Sequence, residues 1–319
     1  MHSRVLHICQ SGFEAFLIKE LGGTAQSGPG WVLGPQGADE LCFSHLSLTA
    51  PTELSGASVN LLAGAVADFF SASAREERFE GPWPFLVESS GSPGLGRRAK
   101  GVAEACLERV RGRMSRVARL AVSGRPKLGG ARGLFVYLPT FDRAFVSRES
   151  VGGGQRRMSD DPQAPSRSYL KVEEAYGVLG REPAPGETVA DLGAAPGGWS
   201  YSAARRGAMV WAVDNGPLKA GALQEKIKHL PQDAFTFQPE RPADWLFCDL
   251  VEDPNRVIEL LGSWLERGWC RRFIVNLKFA RQDPLVLLRR AGSLRARCRL
   301  FRARHLFHDR EELTLVGEI

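Results

Sequence analysis

A glycine-rich turn that follows an apolar strand is the feature that most constrains this chain. The turn reads Asp191-Leu-Gly-Ala-Ala-Pro-Gly-Gly198, and its glycines allow the backbone to turn tightly and to approach a ligand. Asp214 ends the next candidate strand, 23 residues after Asp191. That spacing suits a carboxylate that accepts hydrogen bonds from both hydroxyls of a bound ribose. The pattern therefore predicts an α/β domain that binds a ribose-containing cofactor at this turn.

Two other interpretations of the turn remain open. The fingerprint of a dinucleotide site needs glycine at position 195, where this chain has Ala195 followed by Pro196. The proline also removes a backbone N–H that a pyrophosphate would use. These residues disfavour a nicotinamide-dependent oxidoreductase, and the companion Asp214 disfavours a turn with a purely structural role.

From Tyr169 onward, apolar runs alternate with helical patterns, as a mostly parallel sheet covered by helices requires. We therefore predict a single α/β domain over residues 168–319. Its candidate strands are 188–192, 208–213, 235–237, 245–248, 273–277 and 313–316.

The first half of the chain has the mixed pattern of an α+β protein. Residues 1–55 contain a helical candidate and form a predicted small α+β unit. Residues 56–150 form a second predicted unit, and residues 151–167, which are rich in glycine, proline and polar side chains, form a predicted linker. The expected elements are helices at 12–21 and 103–117, a strand at 85–88, and hairpin strands at 134–138 and 143–146.

Positive charge is concentrated in one segment of the second predicted unit. Residues 1–96 carry 4 basic and 10 acidic side chains, whereas residues 97–132 carry 11 basic and 2 acidic side chains. Arg109, Arg113 and Arg116 lie on the predicted helix face opposite its apolar residues. An arginine cluster neutralises backbone phosphates without reading base identity, so this face is a candidate surface for a polyanion. The alternative is an ordinary solvated helix face.

The remaining sequence signals exclude several classes of protein. The chain has no run of 18 uninterrupted apolar residues and no signal-peptide pattern at its N-terminus, so we expect a cytoplasmic protein. Its six cysteines are scattered without CxxC spacing, which argues against a disulfide framework or a zinc site. His305 and His308 lack a third ligand at metal-binding spacing, so no metal is expected.

The pattern Asp191-x-Gly-x-Ala-Pro-Gly-Gly198 resembles the motif that binds S-adenosylmethionine in the FtsJ/RrmJ-like RNA ribose methyltransferases. The resemblance extends through residues 168–319, and at two places it is closest to the RlmM branch of that family. The further matching segments are Trp245-Leu-Phe-Cys-Asp-Leu250, Asn276-Leu-Lys278 and Arg310-Glu-Glu-Leu-Thr-Leu315 for the family, with 164–175 and 308–312 for the branch.

The resemblance implies a fold and an activity. The fold is a Rossmann-like class I methyltransferase domain with a mostly parallel seven-stranded sheet, preceded by an α+β RNA-binding region with a THUMP-like unit. The activity is methyl transfer from S-adenosylmethionine to the ribose 2′-hydroxyl of a cytidine in large-subunit (23S) ribosomal RNA, with no DNA or membrane partner. Two alternatives remain: a 2′-O-methyltransferase of transfer RNA or of an mRNA cap, and a non-catalytic RNA-binding assembly factor with a methyltransferase-like fold.

The resemblance also assigns residues to the cofactor. It implies that Asp214 holds the ribose, that Asp233 accepts the adenine amine, and that Asp249 lies beside the methyl group. The residues implied around the methionine part are Ser168, Ala195, Pro196, Gly197 and Gly198.

The chemistry needs a base, because a ribose hydroxyl is a poor nucleophile and loses its proton during attack. Lys278, at the end of a predicted strand, is the candidate. It accepts a proton only when neutral, a form that positive charge on Lys171 and on the cofactor sulfonium would favour. The resemblance implies a tetrad of Lys171, Asp249, Lys278 and Glu312. Glu311 is an alternative to Glu312 as the fourth member of the tetrad. The non-catalytic alternative is that these lysines and acids form ordinary surface ion pairs.

Overall fold

The computed structural model describes residues 4–23, 25–35, 40–280 and 282–319. The chain divides into two compact units, Met1–Gly153 and Gly154–Ile319, which we call unit 1 and unit 2. Each unit is built around its own sheet. None of the helices in the described residues is long and apolar enough to span a membrane.

Unit 1 combines nine strands with four helices in its described residues. The strands are β1 (Arg4–Ile8), β2 (Gln26–Gly28), β3 (Trp31–Pro35), β4 (Leu46–Thr49), β5 (Thr52–Ser55), β6 (Trp83–Ser89), β7 (Ala121–Ser123), β8 (Gly129–Leu138) and β9 (Arg143–Gly152). The helices are α1 (Glu14–Glu20), α2 (Val59–Ser73), α3 (Leu95–Arg113) and α4 (Ser115–Arg119). The strand order is β2-β3-β1-β4-β9-β8-β6-β7, with β5 pairing with β9.

The sheet of unit 1 is continuous across the boundary expected between residues 55 and 56. Both β4 and β5 pair antiparallel with β9, so that Leu48 lies opposite Ser150 and Glu53 lies opposite Phe145. The strand predicted to end at residue 146 is β9, which continues to Gly152 and pairs along one edge with β4 and β5. Residues 1–55 and 56–150 therefore share one sheet and do not form separate sheets.

The basic face predicted on α3 is only partly free. Arg113 pairs with Asp68 of α2 at 2.6 Å, and Arg109 donates a hydrogen bond to Asn60 at 3.4 Å. These two arginines face α2 because their side of α3 packs beside that helix, which corrects the expectation that Arg109, Arg113 and Arg116 form one open surface. The exposed basic residues of this segment that form no ion pair within the described residues are Arg97, Arg111, Arg116, Arg119 and Lys127.

Unit 2 contains a seven-stranded sheet in the order β12-β11-β10-β13-β14-β16-β15. Neighbours from β12 to β14 run parallel, whereas β16 is antiparallel to both β14 and β15, so one strand opposes the other six. The strands are β10 (Thr188–Leu192), β11 (Met209–Val213), β12 (Ile227–Leu230), β13 (Ala243–Cys248), β14 (Cys270–Lys278), β15 (Leu300–Arg304) and β16 (Glu312–Glu318). The helices are α5 (Tyr169–Leu179), α6 (Gly198–Arg205), α7 (Pro254–Glu266) and α8 (Pro284–Gly292).

The structure corrects one predicted strand and adds two. The strand expected at 235–237 is wrong, because the Asp233 carboxylate accepts the backbone N–H of Phe235 at 2.8 Å and closes a turn there. The edge position next to β11 belongs instead to β12, which lies a few residues earlier. Sequence analysis also did not assign β15, the short strand at the opposite edge.

Helices α5 and α6 cover one face of this sheet and contribute to its apolar core. Tyr176 of α5 and Trp199 of α6 pack against Trp245 and Phe247 of β13 with tilted or edge-on rings. All four side chains are almost fully buried, and each large aromatic ring removes substantial apolar surface from water. This core fixes the starts of α5 and α6 beside the carboxyl ends of the central strands.

Candidate active site

The glycine turn joins β10 to α6. Asp191 of β10 is buried and accepts a 2.6 Å hydrogen bond from the Ser200 hydroxyl on α6. Burial raises the pKa of Asp191 to about 7, although the bond from Ser200 opposes the shift. Gly193 and Gly197 have φ values of 78° and 108°, in the left-handed region that glycine adopts without strain. The Asp191–Ser200 hydrogen bond thus links β10 to α6, and the glycines allow the backbone to turn between them.

Asp214, which follows β11, holds the same turn from the side. Its carboxylate accepts hydrogen bonds from the backbone N–H groups of Ala195 at 3.0 Å and Gly216 at 2.7 Å. Ala195 precedes Pro196 through a cis peptide bond. A carboxylate offers about four lone-pair positions, so Asp214 can orient the turn and still accept bonds from a ligand. The structure therefore brings Asp214 to the turn, as the spacing predicts.

Ser168 lies at the start of α5, beside the first residue of α6. A Cβ atom on Gly198 would lie 2.8 Å from the Ser168 hydroxyl oxygen, so any other residue there would force that hydroxyl to move. The Ser168 carbonyl accepts the indole N–H of Trp199 at 3.0 Å, which links the start of α5 to α6. The structure thus brings Ser168 to the end of the turn formed by residues 195–198.

Asp233 lies beyond the edge strand β12, next to the strand that ends at Asp214. Its side chain is exposed, and its carboxylate is engaged with the backbone of its own turn at Phe235. Among the described residues, no hydrogen bond links Asp233 to the glycine turn. Of the residues predicted for the cofactor, Asp233 is the one that local contacts support least.

Lys278 and Asp249 meet where β14 and β13 end. The Lys278 ammonium donates a 2.6 Å hydrogen bond to the Asp249 carboxylate, and it donates two more, each of 3.1 Å, to the backbone carbonyls of Asp249 and Leu250. Three acceptors match the three N–H groups of a protonated lysine. These three oxygens, all from the two residues that follow β13, fix the position of the Lys278 amino group.

Lys171 and Glu312 complete the group. Lys171 of α5 forms an ion pair with Glu312 at 2.5 Å and lies 3.7 Å from the second carboxylate oxygen of Asp249. The four side chains are between 13% and 22% exposed, so solvent screens their charges only partly. Burial lowers the pKa of Lys171, but the charges of Asp249 and Glu312 outweigh burial and raise it. The two carboxylates therefore stabilise the charged form of Lys171.

The two adjacent glutamates differ in position. Glu312 begins β16 and lies opposite Lys278 in the antiparallel register, with its side chain directed to Lys171. Glu311 is exposed, and it contributes a backbone carbonyl that accepts the N–H of Phe279 at 2.9 Å. Only Glu312 of this pair has its carboxylate in the cluster.

Two buried carboxylates near the cluster were not singled out by sequence analysis. Asp309 accepts hydrogen bonds from the side chains of Asn276 and Thr314, which lie below Lys278 and Glu312 on the same pair of strands. Glu174 lies on α5, three residues after Lys171, and is fully buried. Both acids lie within the segments that carry the family resemblance, but no spacing rule distinguishes them from surface acids.

The two histidines considered for a metal have hydrogen-bonding roles. His305 is buried and its Nε2 lies 2.9 Å from the Arg310 carbonyl, so Nε2–H donates there, while burial lowers its pKa to about 4. His308 Nε2 accepts the backbone N–H of Met158 at 3.0 Å. In the described part of the chain, no three His, Cys, Asp or Glu side chains are grouped as a metal site requires.

The donor set at the glycine turn fits S-adenosylmethionine. Asp214 supplies a carboxylate for ribose hydroxyls at a strand end, and the glycines leave the backbone open to close approach. Asp249 adds a negative charge where the positively charged sulfonium of that cofactor would be stabilised. Pro196 removes an N–H that a pyrophosphate would use, so the same residues suit a dinucleotide less well.

The chain is similar in sequence to known methyltransferases. Residues 164–262, which include the glycine turn, Asp214 and Asp249, match the FtsJ-like methyltransferase family. Unit 2 therefore contains a methyltransferase domain, and its methyl donor is S-adenosylmethionine.

Two relatives cover nearly the whole chain. The ribosomal RNA large subunit methyltransferase M of Chromohalobacter salexigens is 34% identical over 96% of this chain and 95% of its own. The protein of the same name from Xanthomonas oryzae pv. oryzae is 33% identical over 99% of both chains. The chain belongs to the ribosomal RNA large subunit methyltransferase M family.

Proposed function

We propose that this chain transfers the methyl group of S-adenosylmethionine to the ribose 2′-hydroxyl of a cytidine in large-subunit (23S) ribosomal RNA. The observation that carries this proposal is the cluster of Lys171, Asp249, Lys278 and Glu312 beside the glycine turn. The names of the relatives support the RNA class. Four charged side chains that are mostly buried and mutually paired suit a reaction in which a proton leaves a weakly acidic hydroxyl.

Within the cluster, each lysine has a different task. Lys171 stays positive between Asp249 and Glu312, and its charge opposes a second positive charge on Lys278, which shares Asp249 with it. Lys278 acts as the base in its neutral form: its ammonium group first releases one proton to solvent, which leaves two N–H donors and a lone pair, and that lone pair takes the proton of the 2′-hydroxyl as the oxygen attacks the methyl group. S-adenosylmethionine supplies the electrophilic methyl group. Asp249 keeps Lys278 within reach of the acceptor oxygen.

The cofactor is held by the residues expected from the sequence. Asp214 accepts the ribose hydroxyls with lone pairs that its bonds to Ala195 and Gly216 leave free. Ser168 and residues 195–198 surround the methionine part, and Asp233 receives the adenine amine. The single bond between the Asp233 carboxylate and its own turn leaves acceptor capacity for that amine.

Residues 56–150 act as a THUMP-like RNA-binding region in this proposal, and residues 151–167, which begin with the last two residues of β9, lead from it to the catalytic part. The support is the set of exposed arginines and lysine between 97 and 132 that no carboxylate neutralises within the described residues. Such cations bind phosphates regardless of base identity, whereas the paired arginines Arg113 and Arg125 hold unit 1 together.

Methylation mapping tests the proposal. Purified protein is incubated with labelled S-adenosylmethionine and with 23S ribosomal RNA from a strain lacking the protein, and nucleosides are then identified by mass spectrometry. We expect one labelled 2′-O-methylcytidine. Label in transfer RNA or a cap would move the substrate to another RNA, and no label in any cellular RNA would favour the non-catalytic assembly factor.

A further inference from the structure

Glu174 is an ionisable side chain buried where no solvent reaches it. It lies on α5 and is 0% exposed, yet no basic side chain neutralises it through a described ion pair. Its carboxylate accepts three backbone hydrogen bonds, from Arg156 at 3.1 Å, Phe307 at 3.0 Å and His308 at 3.2 Å. Glutamates are rarely fully buried unless their oxygens are satisfied, so this one joins two loops to α5.

The two loops are also joined to each other and to the same helix. His308 accepts the backbone N–H of Met158 at 3.0 Å, which links the loop before α5 to the loop before β16. Gly154 approaches α5 so closely that a Cβ atom on it would lie 2.9 Å from the Gly177 carbonyl oxygen. Glu174 is therefore the acceptor at the centre of a tightly packed junction.

The loop held by Glu174 carries Asp309, which is 2% exposed. Asp309 accepts the backbone N–H of Leu306 at 2.9 Å, the Thr314 hydroxyl at 3.0 Å and the Asn276 amide at 3.2 Å. Asn276 and Thr314 are register partners, and Lys278 and Glu312 are the partners two residues further along. Because side chains alternate across a strand, both pairs point to the same face. Asp309 thus lies directly beneath the catalytic pair.

Lys171 shares a helix with Glu174 and interacts electrostatically with Asp309. Lys171 lies three residues before Glu174, and residues at this spacing share a helix face. The charge of Asp309 is one of those that raise the pKa of Lys171. The position of Lys171 relative to β14 and β16 therefore depends on the junction that Glu174 closes.

We propose that Glu174 and Asp309 are positioning residues for methyl transfer: Glu174 fixes the loop of residues 306–309 to α5, and Asp309 fixes Asn276 and Thr314 beneath Lys278 and Glu312. The proposal rests on the proposed function, because it assigns these acids to the step in which Lys278 takes the proton. Neither acid touches the reacting atoms.

The test compares Glu174→Gln and Asp309→Asn with Glu173→Gln. Glu173 is the adjacent acid on α5 and is nearly as buried, but it pairs with Arg206 and Ser202, away from the tetrad. In Glu174→Gln and Asp309→Asn, kcat for RNA methylation should fall at least tenfold while the cofactor Kd changes less than about twofold. In Glu173→Gln the thermal midpoint should fall and kcat should stay within twofold. A pH–rate profile should shift in Asp309→Asn, since Lys171 then loses one negative neighbour.

Amide hydrogen exchange decides the proposal separately from activity. Exchange at residues 305–310 should speed up at least tenfold in Glu174→Gln and remain at the wild-type rate in Glu173→Gln. Wild-type exchange in Glu174→Gln, or unchanged kcat in folded Glu174→Gln and Asp309→Asn, would overturn the positioning role. Failure of the wild-type protein to methylate any RNA would instead overturn the proposed function, and the exchange result would still decide whether Glu174 holds the loop.

Discussion

The two units use charged side chains in different ways. In unit 1, many ion pairs are exposed and separate, such as Arg113 with Asp68, and the one small network joins Glu77 to Arg132 and Arg148 among the described residues. In unit 2, two lysines and two carboxylates from different elements meet in one partly buried group. Separate surface pairs contribute little energy each, whereas a shared buried group constrains protonation. The arrangement of charges, more than their number, thus distinguishes the candidate active site of unit 2 from the ion pairs of unit 1.

The same contrast explains how the two sequence predictions fared. The basic segment was predicted by counting charges, and the count could not tell which arginines face a partner helix. The tetrad was predicted from the family resemblance, and Lys278 alone was also predicted from its place at the end of a strand, where a parallel sheet brings functional side chains to one edge. Mutations in each unit should therefore differ in both size and kind of effect.

The largest effect is expected from Lys278→Ala. Removing the proposed base should lower the methyl-transfer rate about 10³-fold, in the range typical of a lost general base, and leave the cofactor Kd within a few-fold. Rates are measured with labelled cofactor, and binding by calorimetry. Lys228→Ala, an exposed lysine of β12, is the control and should keep full activity. Full activity in Lys278→Ala would remove the proposed base.

A smaller effect, on binding rather than rate, is expected from Asp214→Ala. The variant loses the acceptor proposed for the ribose and also the bonds that hold Ala195 and Gly216, so the cofactor Kd should rise about 10- to 100-fold, or about 1.4 to 2.8 kcal/mol. Asp244→Ala changes an aspartate at the start of β13, away from the strand ends, and should bind like the wild type. Calorimetry with S-adenosylmethionine and NAD also checks the oxidoreductase alternative, since only the former should bind.

In unit 1, the double variant Arg116→Gln and Arg119→Gln should weaken RNA binding about three- to tenfold at physiological salt. Each lost phosphate contact should lower the slope of log K against log salt by about 1. Arg113→Gln is the matched control, because this arginine is already paired with Asp68, and its slope should stay at the wild-type value. Equal losses in both variants would mean that net charge matters here and the pairing does not.

The sequence was sufficient for the motif-bearing part of the site and for most of the second sheet. Strand ends and the glycine turn are local features, so the positions of Asp191, Asp214 and Lys278 followed from them. The turn after Asp233 was missed because an aspartate that bonds to its own backbone looks the same in sequence as one at a strand start. Glu174 and Asp309 were missed because their partners are backbone N–H groups and side chains of distant segments.

The smallest effect concerns how pH changes stability, and it has opposite signs in the two units. Burial raises the pKa of Glu174 to about 8 despite three backbone hydrogen bonds. The folded state then keeps a proton that the unfolded state loses above about pH 4.5, so the contribution of Glu174 to stability falls as pH rises towards 8. In unit 1, burial acts to raise the pKa of Glu77, but its bonds to Arg132 and Arg148 prevail and lower it. The contribution of Glu77 to stability is fully present above the pKa of the unfolded state, and it is lost as pH falls through the lower pKa of the folded state.

Urea unfolding of the wild type, Glu174→Gln and Glu77→Gln between pH 3 and 9 measures both signs. The free energy of unfolding of the wild type minus that of Glu174→Gln should decrease as pH rises from about 5 to 8. The corresponding difference for Glu77→Gln should decrease only as pH falls towards 3. If the Glu174 difference does not change with pH, its three N–H donors fully offset burial, and its pKa is the same in the folded and the unfolded state. The difference in how the two units use charged side chains would then be limited to Lys171 and Lys278 of the tetrad.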